Sequence, residues 1–461
     1  MKFSGDSACI VGAGPTGALL AILLERRGLR VTLYESRPDP RHGAGVSGRS
    51  INLALADRGI HALKLAGVFD GIEGSLIPMR GRFVHALDGS GSLQPYGQRP
   101  GEVIYSISRH SLNQALLGVA LRRTGVEVKF EHRLENADFG ARTAEIRDLR
   151  RDRLLEVPMQ PMLAADGAAS MMRRRMAGRG LIEARERDLE HGYKELSIPA
   201  GPRGGGRLDR EALHIWPRGD YMLIALPNSD GSFTATLFLP MRGPSSFASL
   251  DTPAAIEDFM SANFADARDL MPDCLEEFRS NPTGFLGTVH AHGWHVGASA
   301  ALIGDAAHAM VPFHGQGMNC CFEDCIEFDA CIARYASWES VFGEFYAMRK
   351  PNTDAITAMA LENYLEMREH VADSAFLMRQ ALALELERRF PQRFIPRYSM
   401  VMFHHEIPYR IAQERGSVQA NLLAELTCGA ATLADIDYAR AAREIESRLA
   451  PLQDLSSVMK L

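Results

Sequence analysis

Gly12-x-Gly14-x-x-Gly17 constrains this chain more than any other feature. An apolar run over residues 8–12 precedes it. A stretch of Leu, Ala and Ile follows, ending near Glu25-Arg26-Arg27-Gly28, and residues 30–35 (RVTLYE) then alternate as a strand does. Strand, glycine turn, helix and second strand in about 30 residues make a βαβ unit. The glycines allow a tight turn, let a pyrophosphate approach the backbone and let the helix pack close to the strand. The helix N-terminus then faces phosphates, and Glu35, at the end of the second strand, can accept ribose hydroxyls. The pattern predicts a dinucleotide site on Gly12, Gly14, Gly17 and Glu35. Its place at the start of the chain favours FAD held as a prosthetic group.

Composition narrows the class. Of 461 residues, 46% are hydrophobic and 23% charged, which excludes a disordered or fibrous chain. Lys plus Arg number 51 against 57 Asp plus Glu, a net charge of −6, and this argues against a nucleic-acid partner. Seven cysteines in such a length form no disulfide framework, so a reducing, cytoplasmic location is expected. The stretch 9–24 imitates a signal-peptide core, but its glycines break it, and it falls short of the ~20 residues a spanning helix needs. No apolar run after Tyr398 is long enough to span either, so no membrane partner is expected. Oligomeric state is left open.

Two segments read as inserted β-structure. Residues 78–107 hold short strands around 82–84 and 103–105, and residues 189–240 hold strands at 212–216, 221–226 and 232–239 separated by tight turns. Together they suggest one antiparallel sheet. A helix is expected over 57–66, and the period is helical from Trp338 onward. The expected fold is α/β: a Rossmann-like FAD-binding fold with an inserted antiparallel β-sheet substrate domain and a helical C-terminal region. The flavin domain would take 1–75, 108–180 and 286–345, the substrate domain 76–107 and 181–285, and the helical region 346–461.

Two further motifs bear on the cofactor. Residues 301–308 (ALIGDAAH) are an apolar strand ending in Gly-Asp, so Asp305 can bond a ribityl hydroxyl; an N-capping Asp in a plain strand–turn–helix would look alike. Downstream, Gly317, Met318 and Asn319 open a helix whose amides can face the flavin pyrimidine edge. A weaker element, residues 163–167 (LAADG), places Asp166 at a strand end, where Asp-Gly is also an ordinary turn. Cys320, Cys321, Cys325 and Cys331 lack paired C-x-x-C spacing and read as buried free thiols, and His404-His405-Glu406 does not make a zinc motif, so no metal is expected.

In this order the three elements resemble the aromatic-ring hydroxylases that use FAD and NAD(P)H, although Ala164 stands where that family usually has Gly. Longer strings resemble the kynurenine 3-monooxygenase family within it. They are GRSINLAL at 48–55, PMRGR at 78–82, QPYG at 94–97, HGYKEL at 191–196, LHIWP at 213–217, VPFHGQGMN at 311–319, ENY at 362–364 and FIPRY at 394–398. The matches run from about residue 8 to 403.

The resemblance implies an enzyme that hydroxylates L-kynurenine at the ring 3-position with NADPH and O2, giving 3-hydroxy-L-kynurenine. It implies that Arg82, Tyr96, Asn363 and Tyr398 hold the amino-acid end of the substrate, since an arginine fork suits a carboxylate and hydroxyl and amide groups add orientation. Met222, Ile224, Leu226 and Phe238 match apolar positions around the ring, where a sheet core would look the same. Thr16, Tyr34, Glu35, Ser36, Arg37, Ala54, Arg109, Leu134, Asp305, Met318 and Asn319 match FAD contacts. No side chain is assigned as catalytic, because flavin-hydroperoxide chemistry supplies the difficult step; His314 takes a positioning role at most. The rival readings are the same reaction on a substituted kynurenine in secondary metabolism, a flavin reductase or halogenase, and a non-catalytic flavin-bound interaction protein.

Overall fold

The structure, a computed structural model, describes residues 5–41, 52–370 and 373–452. The first half of the string at 48–55 and part of the loop expected over 38–48 lie outside the described residues. The chain forms two compact units, each assembled from three stretches: Met1–Leu76, Ile107–Asp188 and Gly287–Thr357 in one, Ile77–Ser106, Leu189–Leu286 and Ala358–Leu461 in the other.

The first unit is built on a six-stranded sheet in the order His295–Val296, Ala300–Leu302, Met162–Ala164, Ser7–Val11, Arg30–Glu35, Val126–Phe130. Its pairs are parallel apart from the edge strand His295–Val296. Central strands of such a sheet are covered on both faces, which is why Cys9–Val11 and Met162–Ala164 read as unbroken apolar runs. The helix Pro15–Arg26 buries every residue from Gly17 to Leu24, as a helix apolar all round must. The helix Asp57–Ala66 follows as expected and stops at Gly67, whose φ of 69° suits glycine. A small antiparallel sheet of His132–Asp138, Thr143–Asp148 and Arg153–Pro158 completes this unit and was not foreseen.

The second unit holds a seven-stranded sheet in the order Gly284–His292, Glu183–Ile198, Phe233–Pro240, Met222–Pro227, Ala212–Pro217, Gly81–His85, Gly91–Pro95. The first two strands contribute residues 284–286 and 189–198 to this unit. The two β-rich segments of the sequence therefore do share a sheet, with two differences from the expected form. Gly81–His85 pairs parallel with Ala212–Pro217, so the sheet is antiparallel in its other registered pairs only. The strand expected near 103–105 runs as Ile104–Ser108 and pairs with Ile77–Met79 instead.

Alternation divides the faces of this sheet. Trp216, Leu223, Ala225, Ala235 and Leu237 form one core with Ile256, Met260 and Phe264 of the helix Pro253–Asp269. That helix starts at Thr252, whose hydroxyl accepts from the Ala255 amide, and Pro253 takes its first turn. The registers put Arg82, Val84, Leu213, Ile215, Met222, Ile224, Leu226 and Phe238 on the opposite face. The rest of the unit is helical, as expected for the C-terminal region: Ser374–Arg389, Arg397–Phe403, Tyr409–Thr427 and Tyr438–Arg448. Leu382, Leu386, Phe394, Leu422 and Ile445 pack at its centre. Among the described residues no helix is long and apolar enough to cross a membrane.

Candidate active site

The predicted site residues fall into two groups, one in each unit. In the first unit the glycine turn is closed around its neighbours. A Cβ on Gly12, whose φ is 97°, would lie 2.4 Å from the Ala165 carbonyl oxygen, and one on Gly17 would lie 1.9 Å from the Gly12 carbonyl oxygen. Gly14 faces open space: a Cβ there would meet nothing within 4 Å. The helix behind it has no side-chain cap and no acid in its first turn, so its first amides stay available to phosphate.

Glu35 is buried at the end of its strand. Its carboxylate accepts from the Ala13 amide at 2.8 Å and from the Arg37 amide and side chain at 2.9 Å each. Burial pushes this carboxyl up, but the bonds from Arg37 and Ala13 outweigh burial and hold it below the usual range. Asp166 lies against the same turn. Its Oδ2 accepts from the Met171 amide at 2.8 Å, while Oδ1 is buried without a hydrogen-bond partner. Burial raises this carboxyl, its bonds from Ser170 and nearby amides opposing. An open glycine, a free helix N-terminus, a buried ribose-seeking carboxylate and an orphaned acceptor fit a dinucleotide such as FAD.

The Gly-Asp element sits beside this turn. Gly304 has φ 66°, and a Cβ on it would come within 3.1 Å of Thr16 Cγ2 and 3.0 Å of Cys321 Sγ. Asp305 opens a short helix with its Oδ1 near Cys321 Sγ at 3.5 Å. Asn319 is occupied: its Oδ1 accepts from the Ala56 amide at 2.9 Å, and its Nδ2 donates to the Ala54 and Gly315 carbonyls at 2.8 Å each. Its side chain fastens the strand of Ala54 to the loop of His314, leaving its backbone for a ligand; Gly317 and Met318 start the same helix. His314 is buried in the 3-10 turn Pro312–His314. Tyr34 is buried on its strand, whereas Ser36 and Arg37 are exposed just beyond it. Arg109 is exposed at the start of the helix Arg109–Ala120, and Leu134 is buried in the small antiparallel sheet.

A buried charge network that the sequence did not reveal lies under this site. Asp324 accepts from the Gly304 amide at 3.1 Å, from Arg349 Nε at 2.7 Å and from His308 Nε2 at 2.5 Å. Arg349 also bonds Glu323 at 2.6 Å, and Glu323 pairs with Arg58. Burial opposes ionisation of both acids, but the arginines, and His308 for Asp324, outweigh it and hold both low. His308, Cys320 and Asp324 bring ligand-type atoms within 4.8 Å of one another. The Asp324 oxygens already serve Arg349 and His308, so the cluster is an ion-pair network tying Gly304 to the helix Gly317–Arg334. Cys320, Cys321, Cys325 and Cys331 are buried free thiols on that helix, and burial pushes the first three well up.

In the second unit Arg82 is the centre. It is 4% exposed, and its guanidinium carbon lies 5.9 Å from the Tyr96 ring centre and 5.6 Å from that of Tyr398. The two rings stack at 5.5 Å. One guanidinium nitrogen, NH1, is buried with no hydrogen-bond partner, and Glu366 Oε1 stands 3.7 Å from it. Burial works against the arginine's charge, but Glu366 and the two tyrosines more than compensate. Burial pushes Tyr96 up to about 12 and Tyr398 well up, so both stay neutral hydroxyls. Asn363, buried, belongs to the helix Trp338–Leu365, and Glu366 follows in a π-helical turn, Glu366–His370. The neighbours of two predicted residues are tied together, since Arg397 donates to Glu362 at 2.5 Å. Met222, Ile224, Leu226 and Phe238 lie on the Arg82 face of the sheet. Sequence reasoning missed Glu366, whose acidic side chain on a helix looks like any solvated residue.

Residues 6–196 match the FAD binding domain family. The chain is 46% identical over 446 residues to kynurenine 3-monooxygenase of Myxococcus xanthus, covering 97% of this chain and 96% of that one. It is 48% identical over 447 residues to the enzyme of the same name from Stenotrophomonas maltophilia, covering 97% and 98%. The chain belongs to the kynurenine 3-monooxygenase family. Solved structures share the fold of that family at lower identity. The tetrameric 2-methyl-3-hydroxypyridine-5-carboxylic acid oxygenase superposes with a TM-score of 0.64 at 19% identity, over 81% of this chain and 96% of that one. The p-nitrophenol 4-monooxygenase of Pseudomonas putida gives 0.62 at 17%, over 84% and 94%. They bear out the flavin-binding α/β fold with a helical C-terminal region.

Proposed function

We propose that this protein hydroxylates L-kynurenine at the ring 3-position, consuming NADPH, a proton and O2 and releasing 3-hydroxy-L-kynurenine, NADP+ and water. The observation that carries it is Arg82: a buried cation between two neutral tyrosines, with one N–H direction unused, on a sheet face that also carries Met222, Ile224, Leu226 and Phe238. Such a group recognises a carboxylate attached to an aromatic body. When bound, FAD supplies the electron transfer from NADPH and the delivery of one oxygen atom, so no side chain need act as nucleophile.

The chain's own residues bind, orient and shelter. Arg82 takes the substrate carboxylate, Tyr96, Tyr398 and Asn363 fix its direction, and Met222, Ile224, Leu226 and Phe238 hold the ring away from water. Gly14, Thr16 and Gly17 hold the pyrophosphate, Glu35 the adenosine ribose, and Asp305 the ribityl chain, with Tyr34, Ser36, Arg37, Ala54, Arg109, Leu134, Asp166, Gly317, Met318 and Asn319 around them. The free thiols fit a reducing cytoplasm.

The deciding experiment is NADPH oxidation by the purified holoenzyme with and without L-kynurenine, with the product weighed. Stimulation together with a product heavier by one oxygen is expected. Stimulation without that product, or none at all, would overturn the assignment.

A further inference from the structure

The helix-facing side of the substrate sheet carries a chain of hydrogen bonds that binding does not use. His85 ends the strand Gly81–His85, and His214 lies on the parallel neighbour, both on the side away from Arg82. His85 Nδ1 lies 3.1 Å from Asp266 Oδ2, and His85 Nε2 lies 2.9 Å from His214 Nδ1. His214 Nε2 in turn lies 2.8 Å from the Asp209 carbonyl oxygen. The two imidazoles are 8% and 2% exposed. His85 stacks on Trp216 at 4.1 Å, and Trp216 Nε1 donates to the same Asp266 oxygen at 2.8 Å.

Each of the three links needs one proton. The ends, a carboxylate and a backbone carbonyl, can only accept. Two neutral imidazoles carry two protons, which would leave two bare lone pairs facing each other in the middle. His214 donates outward to Asp209 and His85 donates to Asp266, so the middle link takes a third proton and one ring is an imidazolium; the Asp266 carboxylate 3.1 Å from His85 Nδ1 favours the charge on His85. The surroundings agree. Burial pushes His214 down to about 4, so it stays a neutral acceptor. Burial would raise Asp266, but its bonds from His85 and Trp216 outweigh that and keep it an anion. The other charged groups facing the pair are Arg218, whose NH1 donates to the His85 carbonyl at 3.0 Å, and Asp209.

We propose that His85 and His214 form a three-proton pair, with the charge on His85, that acts as a positioning device for Arg82 by fastening the end of its strand to the parallel neighbour. The proposal rests on Arg82 being the carboxylate ligand. The other end of that strand is held where the Arg80 amide donates to the Glu211 carbonyl at 2.7 Å. Raising the pH removes the third proton, sets the two lone pairs against each other and releases the strand end that Arg82 depends on.

Two measurements on the holoenzyme test this. In protein labelled with 15N-histidine, long-range 1H–15N spectra recorded at the pH of lowest KM should show both His85 nitrogens protonated and one bare nitrogen on His214. A bare nitrogen on His85 would overturn the proposal without any variant having to fold. As the pH is raised, the KM for L-kynurenine should rise about threefold or more while kcat stays level. His85→Gln should flatten that rise and Asp266→Asn should move it to lower pH. If both variants keep the wild-type profile, the pair does not position Arg82. If Arg82→Ala leaves KM unchanged, the carboxylate assignment fails and takes this proposal with it.

Discussion

At the scale of single residues, Arg82 and Gly12 carry the sharpest consequences. Arg82 is a buried cation with a donor held ready, so removing it costs more than a surface contact would. Truncating one partner of a buried charge pair typically costs about 2–4 kcal/mol, so Arg82→Ala should raise KM for L-kynurenine roughly 30- to 1,000-fold. The flavin absorbance per protein should be unchanged, because none of the residues proposed to hold the flavin lies in the same unit. Arg82→Lys keeps the charge and loses the fork, and should fall between the two. Gly12→Ala tests the other unit. The added Cβ would lie 2.4 Å from a backbone oxygen at a φ of 97°, so neither side can yield cheaply. Protein purified with that substitution should carry little FAD, read directly from its spectrum.

At the scale of elements, the end of one helix and the start of another are held by Glu362 and Arg397, the immediate neighbours of Asn363 and Tyr398 in the proposed carboxylate clamp. A Cβ on Gly416 would come within 2.3 Å of the Arg397 side chain, so the helix Tyr409–Thr427 leaves a groove for it. Both partners are partly exposed, at 52% and 30%, which limits the pair to about 0.5–1 kcal/mol. Glu362→Arg and Arg397→Glu should each raise KM about two- to fivefold, and the double exchange should restore it. Elements like these mark where the sequence stops being informative. The glycine turn, the helix Asp57–Ala66 and the strands of 212–240 were legible because local spacing sets them. The parallel register of Gly81–His85 on Ala212–Pro217 was not, since strand partners 131 residues apart leave no local trace. The small sheet of 132–158 was missed because Arg, Glu and Asp alternating with Ala, Ile and Leu read as a charged surface before a one-sided strand. In the clamp, Arg82, Tyr96, Asn363 and Tyr398 were legible only through resemblance; their residue types alone would have passed for surface and core.

At the scale of the whole molecule, stability depends on acids kept ionised out of water. Glu35, Glu323 and Asp324 all titrate below their ordinary range. A carboxyl lowered by folding contributes stability that is complete above its unfolded value, near 4, and lost as the pH falls through its folded one. Melting temperature should therefore decline steeply below about pH 4 and little between pH 5 and 7, followed by calorimetry. Glu323→Gln should lower the melting temperature at neutral pH, because Arg58 and Arg349 would then lose a buried counter-charge.

The order of strands in the nucleotide-binding sheet also sets a timetable. Ser7–Val11 lies next to Met162–Ala164, which lies next to Ala300–Leu302, and Asp305 follows at once. A ribosome adding about 5–20 residues per second makes Gly12 wait roughly 15–60 s for Asp305 to be synthesised. During that interval the helix Pro15–Arg26, buried from Gly17 to Leu24 in the finished fold, has no complete sheet to cover it. The Gly304-Asp305 turn, proposed to hold the ribityl chain, exists only once two-thirds of the chain has been made.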